Sequence, residues 1–300
     1  MSWAVRSRHC SAREGTRAQP VRRRSRVRLR PSPGRRAAAV VAALPLLAVA
    51  LGGCAHADQG SNEDPHQVDA TAAPEVGACR MLTPSDVELP SNATRTVPCT
   101  DPHTAETFLV DELPGDLTDV DYDDAALGSF AYQACGKAFM AFTGGDDSQV
   151  MRAVVSWAWF RPSRSAWDAG ARWYRCDIVG GGPQSASYVL LPDDASQLLY
   201  GRPEDDWLAC ATGDKFAGST KVPCSEKHDW RAVTTIKLGE PADAYPGDKV
   251  AQTKTRDYCS DSVGAWLGYP VEYDFAYTWF HQAEWEAGNR RSVCWARTDQ

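Results

Sequence analysis

The sequence has no apolar run long enough to span a membrane in the ordinary way. Its candidate, Ala37–Gly53 (AAAVVAALPLLAVALGG), is seventeen residues without a charge and contains Pro45, against roughly 20 apolar residues for a bilayer core. Basic charge is scarce where nucleic acid would need it. Residues 1–53 hold 12 Arg and one acid, Glu14, a net of +11, which leaves −18 on the rest of a chain whose total is −7. With 20 basic against 38 acidic side chains beyond Gly53, that body repels phosphate, so no nucleic-acid partner is expected. Lysine is absent from the basic head. Also missing are G-x-S-x-G, HExxH, the P-loop and the dinucleotide fingerprint, so no hydrolase, nucleotide or cofactor chemistry is indicated. The expectation is a non-enzymatic protein without metal or cofactor.

A basic run (Arg22–Arg36), an apolar stretch and then Leu51-Gly52-Gly53-Cys54 follow the order of an export signal. The segment resembles a bacterial lipoprotein signal peptide, with residues 1–53 removed and Cys54 lipidated. Diacylation at about 0.8 kcal/mol per buried CH₂ would hold the chain on the outer face of the cytoplasmic membrane. Residues 54–74 have Val68 as their one large apolar residue and read as a flexible tether.

Beyond Cys54 stand eight cysteines, 79, 99, 135, 176, 210, 224, 259 and 294. An even number in an exported chain implies disulfides. Eight allow 105 pairings, but the chain repeats itself. Val97-Pro98-Cys99 precedes His103 as Val222-Pro223-Cys224 precedes His228. Trp167-x2-Gly170-x5-Cys176 matches Trp285-x2-Gly288-x5-Cys294. Two copies of one module are expected, at 75–204 and 205–300.

In each copy an apolar period of three and four residues predicts a helix around the third cysteine. Its face comprises Leu127, Phe130, Ala131, Ala134, Cys135, Ala138, Phe139 and Phe142 in the first copy. In the second it comprises Ala251, Tyr258, Cys259, Val263, Trp266 and Leu267, with Gly144 and Gly268 at the ends. Alternation over Met151–Trp159 and Val271–Trp279 predicts strands with one buried face. The fold class is α+β, each copy β-β-α-β-β, a small antiparallel sheet covered by one helix. The first two cysteines lie on successive early segments, the third on the inner helix face and the fourth on a strand beneath it. The pairing expected is Cys79–Cys99, Cys135–Cys176, Cys210–Cys224 and Cys259–Cys294.

VPCTDPHTAE at 97–106, the helix cysteine and the Pro162…Trp167…Gly170…Cys176 ending resemble the septum formation family of actinobacterial envelope proteins. The second copy departs by carrying Arg231 where the first has Glu106. The resemblance implies a membrane-anchored envelope protein with no assigned enzymatic activity, here with two such modules. An envelope protein partner is expected, with a link to septation implied by the family. His103 and His228 are read as hydrogen-bonding a turn or strand end beside the disulfide; His103 and Glu106 are also read as a surface pair for binding in the first copy only, with His228 a further candidate binding residue. The aromatic strands, Trp279 included, give an alternative: a platform for wall glycans. An exported enzyme of unknown reaction is the third reading.

Overall fold

The computed structural model describes residues 63–182 and 184–298. The expected signal segment and Cys54 lie outside the described residues. The first half runs β1 (Cys79–Arg80), β2 (Thr96–Val97), β3 (Ala105–Glu112), α1 (Ala125–Thr143), α2 (Asp147–Met151), β4 (Ser156–Phe160), α3 (Arg164–Asp168) and β5 (Trp173–Val179). The second runs β6 (Ala209–Thr212), β7 (Thr220–Pro223), β8 (Trp230–Lys237), α4 (Asp248–Trp266), β9 (Phe275–Thr278), α5 (Gln282–Ala287) and β10 (Arg291–Arg297). The sheets have the same strand order, β2-β1-β3-β5-β4 and β7-β6-β8-β10-β9, and all their ladders are antiparallel. Even the irregularity repeats. The ladder of β3 with β5 skips Phe108, and that of β8 with β10 skips Val233, two residues past Glu106 and Arg231 respectively. A bulge at one position in both sheets bends the central strand alike. The chain is thus a tandem duplication of disulfide-braced α+β modules.

Each helix forms for local reasons and packs for periodic ones. The Asp124 carboxylate accepts from the Ala126 N–H at the start of α1, and Gly144 closes it at φ 72°, a left-handed cap that glycine adopts without strain. The buried stripe is Leu127, Ala131, Cys135, Phe139 and Thr143 in α1, and Ala251, Thr255, Cys259 and Val263 in α4. A step of four residues per contact is one helical face laid on a sheet. Cys135 is bonded to Cys176 of β5 and Cys259 to Cys294 of β10, with Cα–Cα separations of 5.7 and 5.1 Å. Cys79–Cys99 and Cys210–Cys224 tie the first strand of each half to the segment that closes its edge hairpin.

The structure corrects four expectations. Each sheet has five strands rather than four, because the short segments that carry the first two cysteines pair as a hairpin of their own. The alternating runs are strands only over Ser156–Phe160 and Phe275–Thr278; Met151 ends a helix and Val271 is wholly exposed. Tyr258 and Trp266 turn outward, 38% and 50% exposed, since the buried stripe of α4 follows Cys259 in steps of four. Finally, residues 63–69, expected in the tether, are fastened to the first half. Glu63 bridges Thr94, the Asp64 N–H donates to the Ala93 carbonyl, and the Ser163 hydroxyl donates to Asp69.

The halves pack as one unit. Ala153 bridges Leu208, and the N–H groups of Val154 and Ala209 bond the carbonyls of Trp207 and Arg152. Arg291 pairs with Asp147, and the Thr235 and Ser148 hydroxyls are 2.9 Å apart.

Candidate functional site

Sequence reasoning placed chemistry at Cys-x3-His and Glu106, and the fold brings those residues together. Cys79 and Glu106 are direct cross-strand partners. Among the described residues, Cys79, His103 and Glu106 form a group whose potential ligand atoms all lie within 4.8 Å of one another. The cluster is internal, which corrects the reading of His103 and Glu106 as a surface pair: they are 1% and 8% exposed.

His103 Nδ1 lies 2.9 Å from the Asp101 carbonyl. A carbonyl only accepts, so Nδ1 carries a proton and donates it. His228 repeats this with the Glu226 carbonyl at 2.7 Å. Both Nε2 atoms are buried without a hydrogen-bond partner. Each histidine therefore locks the turn that follows its Cys, as an internal part in both halves.

Glu106 accepts from the Ala195 N–H at 3.0 Å. Burial pushes its carboxyl up from the ordinary carboxylate range; the Ala195 N–H pulls the other way, Asp194 adds to the rise and His103 opposes it. The segment it grips runs back over the first half: Leu191 donates to the His103 carbonyl, Gln197 to Phe142 and Leu199 to Thr143 at the end of α1. In the second half Arg231 occupies the same register, opposite Cys210, and forms an ion pair with Asp205. The acid-to-base change follows the partner: a backbone N–H calls for an acceptor, a carboxylate for a donor.

The donor set does not make a zinc site. The Cys79 sulfur is bonded to Cys99, so it offers no thiolate. One imidazole and one carboxylate remain, where structural zinc takes four ligands. The histidine Nε2 is sealed from solvent.

Sequence reasoning missed a second polar cluster, on the opposite face of the first sheet. Arg80, Thr107, Arg175 and Asp177 are all at most 1% exposed. Arg175 pairs with Asp177 at 3.1 Å. The Thr107 hydroxyl donates to Asp177 at 2.7 Å and accepts from Arg80 at 2.8 Å. Arg175 also donates to Asn92 at 3.0 Å. Desolvation pulls the Arg80 guanidinium down to about 10. The signal was available: Arg175 and Asp177 flank Cys176, and neighbours of an inward strand residue point to the other face. In the second half the matching positions are Ala211, Ala232, Val293 and Trp295, an apolar cluster with Trp230. One scaffold thus closes the same face by a charge network in one half and by hydrocarbon in the other, a replacement known to be near neutral or favourable when complete.

The aromatic strands are packing groups: Trp157 and Trp159 sit against the core around Cys135 and Cys176, and Phe275 and Tyr277 against that around Cys259 and Cys294. Trp279 is partly buried and lies against His281 with centroids 4.2 Å apart and planes tilted by 54°.

The fold and cluster define a class: a duplicated, disulfide-braced α+β domain whose histidine and acid motifs serve its own structure. The family model for septum formation matches residues 77–294, and the chain belongs to that family. One family domain spans both sheets, which corrects the expectation of two such modules: the duplication lies inside the domain. No curated protein and no solved structure matches the chain.

Proposed function

We propose that the protein is a lipid-anchored module of the cell envelope, exported and held on the outer face of the membrane through Cys54, that acts by binding another envelope protein in septation. No described helix is long and apolar enough to cross a membrane, in keeping with anchorage by another means. The observation that carries the reading is an asymmetry between the halves. At the end of α1 the chain's own Gln197–Leu199 segment bonds Phe142 and Thr143, and Leu199 is fully buried. At and beyond the matching end of α4, Trp266, Tyr269 and Val271 are 50%, 75% and 100% exposed. Three exposed apolar groups within six residues of chain point to an interaction surface. The occupant that fits is a leucine-bearing segment of a partner protein, doing for α4 what Leu198 and Leu199 do for α1.

A photo-crosslinker at Tyr269 in living cells tests this. The expected result is one envelope partner, joined through a leucine-containing peptide and lost in Trp266→Glu/Val271→Glu. Equal capture from an exposed position on α1 overturns it.

A second reading rests on Trp279, His281, Tyr245 and Asp248. The Tyr245 hydroxyl donates to Asp248, which lies 3.4 Å from His281. A partly exposed indole beside a histidine–carboxylate pair suits a sugar ring. Labelled peptidoglycan fragments should bind the wild type and not a folded Trp279→Ala variant; no binding at millimolar fragment removes this reading.

A further inference from the structure

Lys221 on β7 is 4% exposed. It has no ion pair or side-chain hydrogen bond to the described residues. The other buried basic side chains are all provided for: Arg80 by Thr107 and the Thr94 carbonyl, Arg161 by Asp123, Arg175 by Asp177. A nearly buried ammonium with no partner among the described residues is costly enough to call for a reason.

The lysine lines a cleft of about 200 Å³ bounded by Gly180, Ser185 to Ser187 and Val189 on one side and β7 on the other. Its Nζ lies 3.4 Å from where a Cβ on Gly182 would stand, so a side chain there would crowd the ammonium. Val154, Ala186, Val189, Val222 and Pro223 supply apolar wall, and Ser185 and Ser187 supply hydroxyls. Ser185 Oγ already accepts from the Gly182 N–H. Glu226 is the other ionisable residue along the cleft, and it is exposed.

We propose that this cleft binds a small aliphatic carboxylate, with its charge against Lys221 Nζ and its hydrocarbon against the valines and Pro223. One cation balances one negative charge, and the nearby Glu226 disfavours a dianion such as phosphate. The cleft has room for a short-chain acid such as butyrate. Burial alone pulls the lysine down to about 8, so near neutrality it is still largely charged and holds a proton that a bound anion would stabilise.

Calorimetric titration of the full chain with butyrate, butyramide and inorganic phosphate tests the proposal. At pH 7 butyrate should bind one to one, butyramide should not bind, and phosphate should bind at least ten-fold more weakly than butyrate. Affinity for butyrate should fall about ten-fold per pH unit above the lysine's value, with proton uptake seen as a dependence on buffer ionisation heat. Lys221→Met should abolish binding. If that variant fails to fold, the pH profile and the butyramide comparison on the wild type still decide. Equal binding of butyrate and butyramide, phosphate binding as tight as butyrate, wild-type affinity in folded Lys221→Met, a flat pH profile, or no heat at millimolar butyrate would each overturn it.

Discussion

The Glu106 carboxylate accepts the Ala195 N–H at 3.0 Å, joining the central strand of the first sheet to a segment 89 residues later. That bond clips the crossing segment over His103. Its acid is raised by burial, so the folded state holds the proton more tightly than the unfolded chain. The contribution to stability is full below the unfolded value of 4.5 and is lost as pH rises through the folded value. Glu106→Gln keeps an acceptor for Ala195 and removes the titration. Its midpoint of thermal unfolding should gain on the wild type between pH 4 and pH 7. Glu106→Arg, the residue type of the second half, should cost about 1–3 kcal/mol by stranding a buried N–H.

The disulfides should differ in worth by the loop each closes. Cys135–Cys176 spans 41 residues and Cys210–Cys224 spans 14. Chain entropy assigns about 4 and about 3 kcal/mol respectively. Urea unfolding of the two Cys→Ser double variants should rank them in that order.

Asp177 is the carboxylate among the four buried side chains of the first half's polar network. Asp177→Asn would leave the guanidiniums of Arg80 and Arg175 without their counter-charge. A loss of about 3–5 kcal/mol is expected. Replacing all four positions with their second-half counterparts (Arg80→Ala, Thr107→Ala, Arg175→Val, Asp177→Trp) should recover more than half of it. Denaturant midpoints of the single and quadruple variants check this.

Trp266→Glu/Val271→Glu should leave stability within about 0.5 kcal/mol of wild type, as exposed substitutions do, while removing the cross-link from Tyr269. Loss of the cross-link together with loss of folding would count against the interaction reading.

Under the proposed anchorage, Cys54→Ser should move the exported protein from the membrane fraction to the soluble one without altering its melting curve, since the strands, helices and disulfides of both halves begin at Cys79. Fractionation and immunoblotting measure the shift; continued membrane association would exclude lipid anchorage at Cys54.

Much of this architecture was legible in the chain. The repeated Cys, His, Trp and Gly spacings showed the duplication, and the period around Cys135 and Cys259 placed the helices over the sheets. Less legible were the short edge strands. Cys79–Arg80 and Thr96–Val97 are too brief to show alternation; the first pairs with the free edge of β3 and the second with the first.

What the sequence by itself determined is the periodic and the local: two disulfide-braced halves, each a helix on a sheet, with glycine ends and a histidine four residues after a cysteine. What only the tertiary structure decided is which face of each sheet is closed, and by what. Asn92, from the loop before β2, meets Arg175 in the first half. In the second, Met151 and Phe216 pack on Val293 and Trp295. Burial of a strand residue depends on segments far along the chain, so charge can be internal at Arg80 and Asp177 while Trp266 stands in solvent. The same reason moves His103 and Glu106 from expected surface to interior: the segment that covers them begins after the last cysteine of their own half.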